Sequence, residues 1–203
     1  MQQVIQYMLP PLSVMGLFFV ANVIMMDILT EREKGTLRRL LTGPVTVGRF
    51  LVAKVSVAVL ACIAAMALLA TVSAALLGIR WGNPLALGLV SVAMILAVVG
   101  TMTLIYGLAR TRKQVEGVSN LVIMSMCLFG GSFFPREEMP TFMQAVGKWT
   151  INYWAIDGLR AVINGDPTTY LLRSVGILSA VGLITLVAGI LAMRRRLAVG
   201  DNL

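Results

Sequence analysis

The chain contains no histidine, only two cysteines, and nine acidic residues among 203. Without histidine, the common zinc and haem ligand sets and the Ser–His and Cys–His nucleophile pairs lack their parts. The cysteines, Cys62 and Cys127, both fall inside apolar runs, where they read as small packing residues and not as a disulfide. Charge is scarce as well: Asp, Glu, Lys and Arg make up 13% of the chain. No G-x-x-x-x-G-K-[ST] phosphate loop occurs. Gly147-Lys148 is followed by Trp149 and lacks the upstream glycine, so no cofactor is expected on this chain and any ATP must bind elsewhere.

What is present is apolar. Hydrophobic residues account for 58% of the chain, against about 45–50% in soluble domains, and the mean hydropathy is +0.88. The expected fold class is all-α: one polytopic membrane domain over 1–203, with five spans at about 9–29, 55–79, 85–109, 117–133 and 174–193. Each is about long enough to cross a hydrocarbon core of about 30 Å. Met1 to Leu9 offers neither the basic start nor the cleavage site of a signal peptide, so the spans themselves are expected to direct insertion. Pro10-Pro11 is read as the entry of the first span. Asn22, near its centre, either bonds to a neighbouring helix or faces a wet cavity. Ala61 and Ala65 have the spacing of a close helix contact, and Trp81 suits the membrane interface.

The net charge of +8 is read as topogenic, because no aromatic-interleaved basic groove points to nucleic acid. Arg32, Lys34, Arg38, Arg39, Arg49, Lys54, Arg110, Arg112, Lys113 and Arg194 to Arg196 fall on one side. Arg80, Arg136, Lys148, Arg160 and Arg173 fall on the other. The positive-inside rule puts the larger group in the cytoplasm, with the N-terminus outside and the C-terminus inside.

The longest polar run, residues 31–44, separates the first two spans. Gly35 reads as a break and Thr36 as a helix cap. Leu37, Leu40 and Leu41 recur on one face while Arg38 and Arg39 lie off it, and Gly43-Pro44 stops the helix. A short amphipathic helix along the membrane surface is expected. Residues 134–170 mix scattered charges with Pro135, Pro140, Trp149, Tyr153 and Trp154, and are expected to form short interfacial or re-entrant helices. Asp157 and Arg160, three apart, are positioned to pair on one of them. Thr71, Ser73, Thr101, Thr103, Ser119, Asn120 and Ser125 are polar groups in or near spans. Most are expected to bond back to their own helix, and Asn22 and Asn120 are the candidates for a transport path.

Three stretches, Glu31 to Lys54, Gly130 to Pro140 and Asn152 to Arg160, resemble in order and spacing the motifs of bacterial ABC-2-type transporter permeases. The resemblance implies the membrane subunit of an ABC exporter in the bacterial inner membrane, paired with a second permease subunit, identical or different, within the lipid bilayer. It implies that this chain corresponds to the second to sixth spans. It further implies that a cytoplasmic coupling helix docks on a separate ATPase subunit carrying ATP and Mg. The docking residues would be Glu31, Arg32, Glu33, Lys34, Gly35, Thr36, Leu37, Arg38, Leu40 and Leu41. Phe134, Pro135, Pro140, Tyr153, Trp154, Asp157 and Arg160 would form the external re-entrant motif. Many relatives carry an acidic residue where this chain has Arg38. Near-absence of charge at mid-membrane depth fits a lipophilic or amphiphilic substrate of drug, lipid or glycan type. The alternatives are a non-transporting membrane assembly or resistance protein, or a permease fragment. An intramembrane enzyme would want clustered Asp, Glu or His, which the sequence does not offer.

Overall fold

The computed structural model describes residues 2–33, 47–109 and 111–199. Its helices are α1 (Gln2–Glu33), α2 (Val47–Leu77), α3 (Pro84–Leu108), α4 (Arg112–Gly130), a 3-10 turn (Arg136–Glu138), α5 (Thr141–Gly147), α6 (Ile151–Asn164) and α7 (Thr168–Val199). No strand occurs among the described residues. The surface helix expected at Thr36 to Thr42, with Lys34, Gly35, Thr36, Leu37, Arg38, Leu40 and Leu41, lies outside them.

Among the described residues, four helices are long and apolar enough to cross a membrane: Gln6–Glu31, Gly48–Leu77, Pro84–Leu108 and Thr168–Arg195. The first, second and last helices extend beyond the expected spans, because a helix continues past the hydrocarbon-length run into polar sequence. Pro10 and Pro11 therefore sit inside α1 and not at its entry. The span expected at 117–133 is shifted: α4 covers Arg112–Gly130. Its first turns carry Arg112, Lys113, Glu116 and Asn120, and it is not among the four. Thr111 caps it by accepting from the Gln114 amide at 3.2 Å, and Gly131, with φ 90°, ends it in the left-handed region where glycine is favoured.

The most extensive helix contact in the structure is the pair α3 and α7. Glycines recur seven residues apart on both, at Gly100 and Gly107 and at Gly182 and Gly189. A Cβ on Gly100 would lie 2.5 Å from the Gly182 carbonyl oxygen, and one on Gly107 2.7 Å from that of Gly189. In return, a Cβ on Gly182 would lie 2.7 Å from the Ala97 nitrogen, and one on Gly189 2.6 Å from that of Leu104. The backbones touch where side chains are missing, the means by which helices associate when lipid removes the hydrophobic drive. A seven-residue repeat keeps such a seam on one stripe of each helix. Ala61 and Ala65, which have small-residue spacing on α2, are only half-buried.

The pairing has a topological consequence. Gly100 meets Gly182 and Gly107 meets Gly189, so α3 and α7 run parallel. Residues 109–167 must then return the chain over the length of α3, about 37 Å. Around the pair, α1 packs on α3 and α2. Tyr106 donates its hydroxyl hydrogen to Asn22 at 2.9 Å, which resolves Asn22 as an interhelical bond. Phe18, Met25, Met94, Met102, Ile156 and Leu178 are fully buried between these helices. Trp81, in the turn between α2 and α3, is also buried, and its indole donates to Ser73 Oγ at 2.8 Å. Thr71, Thr101 and Thr103 bond back to carbonyls of their own helices.

Replacing Gly182 by Leu is expected to force α3 and α7 apart and cost about 1–3 kcal/mol. Gly176, on the same helix, meets nothing within 4 Å. Gly176→Leu should be neutral or stabilise by up to about 1 kcal/mol through helix propensity. Thermal unfolding of both variants in one detergent checks the contrast.

Candidate functional site

Two charged ends follow from the parallel pair. At one end, the last turn of α1 meets the start of α2: Lys54 Nζ lies 2.8 Å from Glu31 Oε1, with both side chains mostly covered. The Arg194 side chain of α7 lies beside Gly48 of α2. Arg112 and Glu116 of α4 form an exposed i,i+4 pair here, at 3.0 Å. Glu31, Arg32 and Glu33, expected from the sequence to take part in docking, belong to the end of α1, and Glu31 is committed to Lys54. The remainder of the predicted docking segment lies outside the described residues.

At the opposite end, α6 covers the N-terminal ends of α3 and α7, and α5 packs on α4. Thr150 caps α6 through the Tyr153 amide, and Gly165, at φ 72°, closes it. Gly158 of α6 sits against Val90 of α3 and Ser174 of α7. The fully buried Asn152 donates to Ser132 Oγ at 3.2 Å and contacts Cys127 Sγ at 3.3 Å, which ties α6 to the end of α4. The ends of α4 therefore lie at opposite ends of the bundle.

Arg136 organises this cap. Its Nη1 donates to Asp157 Oδ1 at 3.1 Å and its Nη2 to the Tyr153 carbonyl. Its guanidinium lies 3.9 Å from the Tyr153 ring centre. Gln144 of α5 donates to the Arg136 and Met139 carbonyls at 3.0 and 2.9 Å. Asp157 therefore pairs with Arg136, and the expected Asp157–Arg160 pair does not form. An i,i+3 neighbour offers less than a guanidinium that also finds a carbonyl and a ring. Arg160 instead lies 4.0 Å from the ring centre of Tyr7 in α1. Trp154 donates to the Lys148 carbonyl at 2.8 Å and meets Tyr153 edge-on. Phe134 and Pro140 are exposed, and Pro135 and Pro140 precede the 3-10 turn and α5 as caps. Asn120 is exposed on α4.

Sequence reasoning missed Arg136, Gln144 and Tyr7. Phe-Pro-Arg at a turn was the available signal for Arg136. Nothing local marks Tyr7, which reaches Arg160 across 153 positions of sequence. Among the described residues no three His, Cys, Asp or Glu side chains gather as a metal site.

An all-helical bundle with several membrane-crossing helices, charge at both ends and a cap of short helices defines a multi-pass membrane protein. The chain matches the family described as ABC-2 family transporter protein over residues 1–191, and it belongs to that family. It is similar to the linearmycin resistance permease protein LnrN of Bacillus subtilis (strain 168), with 37% identity over 120 residues. That match covers 59% of this chain and 31% of the relative. It is also similar to a candidate transport permease of the same organism, YvfS, with 34% identity over 64 residues. Here the coverage is 32% of this chain and 26% of the relative. The matched stretches thus span about a third or less of the length of these relatives.

The Arg136–Asp157 pair is partly open to water, so its worth is set by hydrogen bonding more than by charge. A double-mutant cycle with Arg136→Gln and Asp157→Asn should give a coupling energy of about 1 kcal/mol in thermal unfolding. Additive losses would show that the pair does not hold the cap.

Proposed function

We propose that this chain is the membrane subunit of an ATP-driven exporter, and that residues 31–44 pass the stroke of a separate ATPase subunit to α1 and α2. The observation that carries the reading is the family match over residues 1–191. The Glu31–Lys54 pair supports the coupling role. It bridges the two helices that flank the charged segment, so a push on that segment moves both together. No phosphate loop occurs in the sequence, which agrees with ATP and Mg binding on the partner.

In this reading α4 is the fifth crossing. It is 19 residues long, about 28 Å, and its ends lie at opposite ends of the α3–α7 pair. The chain then crosses at α1, α2, α3, α4 and α7, with the N-terminus outside the inner membrane and the C-terminus in the cytoplasm. Arg49, Lys54, Arg112, Lys113, Arg194 and Arg195 fall on the cytoplasmic end, and α5 and α6 form the external cap. Two permease subunits would enclose the path, with the exposed Asn120 on α4 a residue that lipid does not suit. An amphiphilic or lipophilic cargo fits the apolar interior, and a relative named as a resistance permease fits export.

Co-expression with a cognate ABC ATPase, gentle solubilisation and affinity purification test the reading. The ATPase should co-purify with the native chain and be lost with Glu33→Lys combined with Gly35→Pro. Failure to co-purify with the native chain when the partner permease is also supplied would contradict it.

A further inference from the structure

Two cavities adjoin between α5, α6 and α7, and the coupling scheme uses neither. The first, about 640 Å³, has Lys148, Arg160 and Arg173 in its wall, with Asp157 and Asp166 as its acids. The second, about 510 Å³, is apolar and runs along Trp149, Ile177, Leu178 and Val181. Lys148 and Trp154 line both, so the two lie side by side, one cationic and one oily. Their sizes lie in the range of small-ligand sites, about 300–1,000 Å³.

The cationic end is under-neutralised. Asp157 is already taken by Arg136. That leaves Asp166 against three cations, none of which forms an ion pair among the described residues. Arg160 is fixed over the Tyr7 ring, and its Nε and Nη2 are shut from solvent with no acceptor among the described residues. Arg173 is held 5.1 Å from the ring centre of Trp154. Charges anchored on aromatic rings keep their place whether or not an anion is bound, and arginine donors match phosphate oxygens. The oily end opens onto α7, whose Leu172, Leu183, Ile184 and Val187 are exposed. This is the least covered of the candidate spans. An alkyl chain lying in the groove would be continuous with the surrounding lipid.

We propose that these two adjoining cavities together bind one anionic lipid of the bilayer. Its headgroup phosphate lies among Lys148, Arg160 and Arg173, and an acyl chain lies in the groove beside Ile177, Leu178 and Val181. The site is separate from the docking end and stands whether or not an ATPase binds there.

The test is native mass spectrometry of the full chain in a neutral maltoside detergent, titrated with phosphatidylglycerol, phosphatidylcholine or inorganic phosphate. One phosphatidylglycerol should be retained, at least ten-fold more tightly than phosphatidylcholine or free phosphate. Arg160→Gln with Arg173→Gln should weaken it at least ten-fold. Lys148→Glu, at an exposed position, should weaken it at least five-fold. Arg80→Gln, at the same end but outside the cavity, should change nothing. Equal binding of the two lipids would overturn the proposal. So would undiminished phosphatidylglycerol binding in Lys148→Glu, or inorganic phosphate binding as tightly as the lipid.

Discussion

The contact between α3 and α7 is the constraint on which the rest depends. Lipid gives helices no hydrophobic reason to associate, so they hold together by close packing and by bonds between polar groups. Gly100, Gly107, Gly182 and Gly189 supply the first by letting two backbones meet along a seven-residue seam. Because the seam joins parallel helices, it dictates how the intervening chain must run. It also places the start of α7 level with the start of α3, and so sets where α6 can pack.

From that geometry the two ends acquire different characters. One gathers the boundary of the charged segment, where Glu31 and Lys54 hold α1 to α2. The other is closed by short helices that cannot bury a core alone. They are held by Arg136, by the buried Asn152 and by glycines that let α4 and α6 end abruptly. The structure thus consists of a close-packed helix pair, a salt-bridged end and a capped end. Under the proposed coupling, α1 and α2 would move against the α3–α7 pair. The Tyr106–Asn22 bond between α1 and α3 lies on the boundary that would move.

The class of fold was legible because hydropathy reports membrane helices directly. The spans at Pro84–Leu108 and Thr168–Val199 contain their expected runs almost whole. Boundaries were less legible, since α1, α2 and α7 continue into polar sequence that hydropathy ignores. The glycine seam was readable in principle: spacing of seven recurs in two spans. Alanine-rich sequence such as that around Ala61 and Ala65 offers small residues everywhere, and only tertiary structure selects among them. Asp157 illustrates the opposite limit. Its local neighbour Arg160 was the visible partner, while the actual one, Arg136, lies 21 residues away and is chosen by how the turn after α4 folds back.

The central claim is that α3 and α7 cross in the same direction and α4 carries the chain back between them. It is tested by labelling single cysteines in intact cells with a membrane-impermeant maleimide, in a background where Cys62 and Cys127 are replaced by alanine. Lys113→Cys, at the start of α4, and Thr169→Cys, at the start of α7, are both exposed positions. The account predicts that Thr169→Cys is labelled in intact cells and Lys113→Cys only after permeabilisation. Labelling of both from the same side would contradict it, because α4 would then not cross.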